Sequence, residues 1–140
     1  LTLPGRDADT VAAAIDDAWA QCDAVAELSP AATSEFNERR CRMFVAMALV
    51  RADLPDSARA VARRTRAGTD VDPIRELAWL ESIVLTWLGD YDAALERLAL
   101  YLAANPGQVQ AFARDDTWWL EDLRRQPGYA RLVDVPESSG

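Results

Sequence analysis

The side chains of this chain that are able to do chemistry are carboxylates, arginines, two thiols and five tryptophans, and none is arranged as a catalytic set. Histidine is absent, which removes the commonest general base and the commonest metal ligand. Lysine is absent too, so all 15 basic residues are arginine. That excludes a phosphate-loop lysine, a Schiff-base lysine and the paired lysine of a kinase core. Asp90/Asp92 and Asp115-Asp116 are the carboxylate pairs that a cation or an acid–base mechanism would use. Both stand where helices begin, and capping of free N–H groups accounts for them. Arg59, Arg63 and Arg66, joined by Arg64, recur at helical spacing. They read either as a dock for an acidic or phosphorylated segment or as a solvated outer face paired with nearby aspartates. Cys22 and Cys41 lack metal-ligand spacing and read as reduced thiols packed like small hydrophobes. The alternative is a bridge across the first helical hairpin, which requires positions that look about one turn out of register to meet. The chain is therefore expected to be noncatalytic, with no cofactor and no metal.

Composition bounds what carries these residues. A length of 140 residues suits one domain with a sizeable core. Half the residues are apolar and alanine and leucine dominate, both strong helix formers, while runs of strand-forming residues are missing. A net charge of −8 argues against nucleic acid as a partner, because a basic footprint usually supplies that affinity. No apolar run approaches the roughly 20 residues of a membrane span, so no membrane insertion by this segment is expected. The N-terminus has no signal segment, and a cytoplasmic location follows as the expectation. Because it starts at Leu1 and ends in Glu137-Ser138-Ser139-Gly140, the chain reads as a piece of a longer protein.

Helical periodicity then places the elements. Residues 1–7 form an extended lead-in broken by Pro4-Gly5. Asp9 or Thr10 opens a helix to about Leu28, with Val11, Ile15, Ala18, Trp19, Cys22 and Ala26 on its apolar stripe. A second helix is expected from about Ala31 to Ala52, so that residues 8–52 make the first helical hairpin, and a third runs from Asp56 to about Ala67. Residues 68–73 connect to a fourth, from about Pro73 to Leu88, which is apolar nearly all round and must be covered on several sides. Gly89-Asp90 leads to a fifth helix, Tyr91 to about Ala104, stopped by Asn105-Pro106-Gly107. Short pieces follow at 109–114, 117–125 and 127–133, and residues 134–140 read as a disordered tail.

Two of these hairpins repeat. Placing Ala94 on Ala58 superposes them at an offset of 36 residues, close to a 34-residue period. Ala78, Ser82, Leu85, Ala94, Leu98 and Pro106 in the later unit, and Val45-Ala46, Leu49, Ala58 and Ala62 in the earlier, fall at signature spacings. Small residues stand where helices cross, with large apolar ones beside them. Over about residues 40–106 the chain resembles the tetratricopeptide repeat family. It departs at Ala78 for the usual tryptophan, Glu81 for an apolar residue and Asp70 for a proline. The run Asp116-Thr117-Trp118-Trp119-Leu120-Glu121-Asp122-Leu123-Arg124-Arg125-Gln126-Pro127-Gly128-Tyr129-Ala130-Arg131-Leu132 resembles the tail that closes tetratricopeptide regions of bacterial multidomain signalling proteins. In those proteins the region follows a kinase, cyclase or winged-helix domain. Gln126 and Gly128 depart from that tail's usual form.

The resemblance implies an all-α fold of antiparallel helical hairpins, stacked as a short superhelix and closed by a C-terminal cap over residues 107–133. Trp118, Trp119, Leu120 and Leu123 would cover the last apolar face. It also implies a concave groove that binds a peptide or partner domain. Carried over position by position, the groove takes Arg40, Met43, Met47, Val50 and Arg51 from the earlier unit. The later unit contributes Glu76, Trp79, Ile83, Thr86 and Trp87. The partner-binding set is Arg40, Met43, Arg51, Glu76, Trp79 and Trp87, with methionine and tryptophan as adaptable and large anchors. The competing reading is that the first helix and the start of the second cover this face and turn the same residues into core. The expected function is a noncatalytic interaction or regulatory module for a protein or peptide partner; the alternative is a homodimer-forming oligomerisation domain.

Overall fold

Every regular element among the described residues is helical, and none is a strand. The computed structural model describes residues 8–134, so the lead-in over 1–7 and the tail beyond Asp134 lie outside the described residues. The chain divides between Pro73 and Ile74 into two compact units. The division falls at the end of the 68–73 connector.

In the first unit, α2 (Ser34–Arg51) lies between α1 (Ala8–Leu28) and α3 (Pro55–Thr65) and packs on both. The α2 helix starts three residues later than its periodicity predicts, because Pro30–Thr33 closes a turn with the Thr33 N–H bonded to the Pro30 carbonyl at 2.9 Å. That delay changes the register against α1. A shorter loop would set Cys22 about one turn from Cys41. With the turn included, the Cα atoms stand 5.4 Å apart and the cysteines form a disulfide. The reading as reduced thiols is corrected accordingly. The Ser34 hydroxyl donates to the Ala26 carbonyl at 2.7 Å, and the Asn37 amide to the Ser29 hydroxyl at 3.0 Å, fixing the same register. On the opposite side of α2, the Arg39 guanidinium donates to the Arg66 carbonyl at 2.8 Å and the Thr65 carbonyl at 3.3 Å. It thereby satisfies carbonyls that the end of α3 leaves unpaired.

In the second unit, α4 (Glu76–Trp87) and α5 (Tyr91–Ala104) form the main packed pair. The α4 helix begins at Glu76 rather than Pro73, because Arg75 adopts a left-handed backbone at φ 59°. Its burial is as extensive as its composition requires and includes Glu81, Ser82 and Thr86. The two hydroxyls bond back to the carbonyls of Trp79 and Ser82, at 2.5 and 2.7 Å. Glu81, which stands where the repeat pattern wants an apolar side chain, meets Arg97 of α5 at 3.0 Å. A buried carboxylate without such a partner would be strongly destabilising. Asn105 ends α5 through its amide, which donates to the carbonyls of Tyr101 and Ile74 at 2.8 and 2.7 Å.

After a 3-10 turn at Pro106–Gln108 come α6 (Val109–Arg114), a second 3-10 turn (Trp118–Leu120), α7 (Glu121–Arg124) and α8 (Pro127–Val133). The second turn and α7 lie on α4, and α8 lies on α5 and α6. Leu120 and Leu123 are completely buried. A Cβ at Gly128 would come within 2.7 Å of the Leu95 side chain, so glycine allows α8 its close approach to α5. The capping role assigned to the aspartates is not met, because neither α5 nor the Trp118–Leu120 turn has a side-chain cap bond at its start. The Asp115 carboxylate accepts the Thr117 N–H at 2.8 Å, whereas Asp90 precedes α5 with no side-chain bond to the helix N–H groups.

Candidate partner-binding surface

In the first unit, α1 and α3 occupy two sides of α2 and leave a third. Residues at i, i+4, i+8 and i+11 share a helix face, and Arg40, Phe44, Ala48 and Arg51 are all exposed. The Arg40 guanidinium lies over the Phe44 ring, 5.1 Å from its centroid, with Phe44 45% exposed. Arg40 and Arg51 therefore share one outward face of α2. Met43 does not join them. It sits one turn from Arg39 on the side that meets α3 and is 0% exposed, so it belongs to the core and is withdrawn from the binding set. Phe44 was missed. The signal for it was present, because the i+4 step from Arg40 lands on Phe44 rather than Met43.

In the second unit, Glu76 and Trp79 gather near Tyr101. The Trp79 and Tyr101 rings stack with centroids 5.9 Å apart, and Tyr101 meets Phe112 edge-on at 5.7 Å. Burial raises the Tyr101 pKa, and the negative charge of Glu76 raises it further. The indole Nε1 of Trp79 is buried without a hydrogen-bond partner. Trp79 is thus half-buried in an aromatic row that joins α4, α5 and α6.

Trp87, two turns further along α4, has a different environment. Its Nε1 donates to the Trp119 carbonyl at 3.0 Å. Its ring stacks on that of Trp118, nearly parallel at 9° with centroids 5.5 Å apart. Trp119 stands edge-on to Trp118 at 5.8 Å. Trp118, expected as a buried cap residue, is 59% exposed; Leu120 and Leu123 cover the apolar face instead. The leucines two and five residues beyond Trp118 take the interior. The two tryptophans of α4 are therefore not equivalent anchors: one closes an aromatic row, the other supports an exposed ring.

The arginines of α3 have mixed roles. Arg59 pairs with Asp56 at 3.2 Å, and Arg63, Arg64 and Arg66 are exposed. Among the described residues no group of three or more Cys, Asp or Glu side chains is placed to hold a metal ion, and no helix is long and apolar enough to cross a membrane. No protein-family model, curated protein or solved structure matches this chain.

Proposed function

We propose that this chain is a noncatalytic, tetratricopeptide-like interaction module that binds a protein or peptide segment, serving as a regulatory region of a bacterial signalling protein. The recurrence of one turn geometry at a 36-residue offset, at Asp53 and again at Gly89, supports the repeat reading. Buried Ala58 and Ala94 at the same offset support it as well. The observation that carries the binding function is the exposure of Trp118 on the Trp87 ring. A large aromatic side chain held in place and open to water is what a binding hot spot uses. Trp79 and Glu76, and Arg40 with Phe44 and Arg51, are secondary contact candidates, each within its own unit. The Cys22–Cys41 bridge favours an oxidising compartment over the cytoplasm, where thiols are kept reduced.

Selection of a displayed random-peptide library on the full chain tests this reading. Binding of the selected peptides, measured by calorimetry, is expected to fail with Trp118→Ala while the melting midpoint changes little. If no peptide binds above background, or if Trp118→Ala leaves every affinity unchanged, the proposal falls. Light scattering across a concentration series tests the alternative: a stable dimer that buries Trp118 would replace partner binding with self-association.

A further inference from the structure

We propose that the Trp87–Trp118 pair seats a cationic side chain, foremost an arginine, from a basic segment of the partner. This rests on the partner-binding reading above and adds the chemistry of what is bound. Trp118 is 59% exposed, yet its ring is held by the parallel Trp87 ring and by Trp119 edge-on. The Trp87 N–H bond to the Trp119 carbonyl ties the turn to α4. A ring fixed in this way loses little rotamer freedom when a ligand arrives. The face of an indole is the strongest of the natural aromatic seats for a cation.

Charge decides which ligand the seat favours. Residues 74–140 carry six arginines and eleven carboxylates. Asp116, two residues before Trp118, is exposed. Asp115 directs its carboxylate to the Thr117 N–H and shapes the turn that presents the ring. Glu121 and Asp122, just beyond, are matched by Arg125 at 2.7 and 3.4 Å, so among the described residues the carboxylate nearest in sequence without such a match is Asp116. An acidic unit steers cations toward the ring and repels acidic segments. It also disfavours base stacking by a nucleic acid, whose phosphates would be brought against the same carboxylates.

The test uses the full chain and two synthetic pentapeptides, acetyl-Gly-Arg-Gly-Arg-Gly-amide and its citrulline twin, which keeps shape and loses charge. Indole N–H resonances and tryptophan fluorescence follow each titration. The arginine peptide is expected to shift the Trp118 indole and to bind about 5-fold more tightly than the citrulline peptide. Its affinity should fall with added salt. Trp118→Ala should abolish the shift, Trp118→Phe should weaken binding about 2- to 5-fold because the phenyl ring is a poorer seat, and Asp116→Asn should weaken it about 2-fold. Equal binding of the two peptides, no response to the arginine peptide, or retention of binding by Trp118→Ala overturns the proposal. If library peptides bind through Trp118 but are neutral or acidic, the cationic seat falls while partner binding stands. If a methyl glycoside moves the Trp118 signal and the arginine peptide does not, the ring is a sugar platform and the proposal likewise falls.

Discussion

Asp53 and Gly89 hold the same left-handed backbone position, at φ 62° and 79°, 36 residues apart. Each lies just past the end of its helix, and each turn closes with the same two bonds. The Leu54 and Asp90 N–H groups reach back to the carbonyls of Leu49 and Leu85, at 3.0 and 2.9 Å. The Asp53 and Gly89 N–H groups bond to the carbonyls of Val50 and Thr86, at 3.1 Å in both cases. This pair of bonds is the Schellman arrangement, which favours glycine because a Cβ is strained at positive φ. The two turns therefore share a geometry but not a residue.

That difference sets the first prediction. A Cβ at Gly89 would meet nothing within 4 Å, so Gly89→Ala tests the backbone alone. It should destabilise the chain by about 1 kcal/mol. Asp53→Gly should relieve the equivalent cost and stabilise by up to about 1 kcal/mol, net of the extra freedom that glycine has in the unfolded chain. Denaturant midpoints for the two variants should move in opposite directions. Movement in the same direction would mean the turns do not carry equivalent strain.

The helices with punctuation at both ends were legible in the sequence. The bounds of α5, α6 and α8 agree with the expected ones, because Gly89-Asp90, Asn105-Pro106, Asp115-Asp116 and Pro127 bracket them. The starts of α2 and α4 were not, because each is delayed by a turn that hydrophobic periodicity does not register: Pro30–Thr33 in one case, left-handed Arg75 in the other. Such delays matter beyond the boundary itself. The first changes helix register enough to join Cys22 to Cys41. The candidate surface was half legible for a related reason. The resemblance assigned Arg40, Met43 and Arg51 to one face of α2, but which neighbours of Arg40 face outward depended on where α1 and α3 pack.

The bridge yields the second prediction. It joins cysteines 19 residues apart and holds α1 to α2, the element on which α1 chiefly packs among the described residues. Reduction, or Cys22→Ser with Cys41→Ser, should cost about 3 kcal/mol on the chain-entropy account of disulfides. Thermal unfolding with and without dithiothreitol measures it, alongside a thiol count on the unfolded, unreduced chain. Two reactive thiols per chain, with unfolding indifferent to the reductant, would refute the bridge.

A third contrast separates cap from surface in the C-terminal segment. Leu123 is 0% exposed, so Leu123→Ala should cost about 2–5 kcal/mol through lost burial and the cavity left behind. Trp118→Ala removes a larger side chain, but one already 59% exposed, and should cost about 1 kcal/mol from its lost stacking on Trp87. Urea titration of the two variants checks the order. Equal costs, or a greater cost at Trp118, would make that ring part of the structural core and remove it from any binding role.

The last prediction concerns alkaline pH. The Tyr129 hydroxyl donates to the Phe112 carbonyl at 2.8 Å and ties α8 to α6. Its pKa is pushed up from 10.0 to about 12, by burial first and by the negative charge of Asp115 next, with Arg124 opposing. The folded chain therefore keeps the proton at a pH where the unfolded chain has lost it. For a group with a raised folded pKa, the associated stability is complete below the unfolded value and drains away as pH rises toward the folded one. Stability should accordingly fall between about pH 10 and about 12, beyond any slope from other groups. Tyr129→Phe should lower stability by about 1 kcal/mol at neutral pH, through the lost hydrogen bond. It should also flatten the alkaline fall. Melting curves of both proteins across that window decide between the outcomes. Parallel declines would mean that the Tyr129 hydroxyl titrates in the folded chain as it does in water.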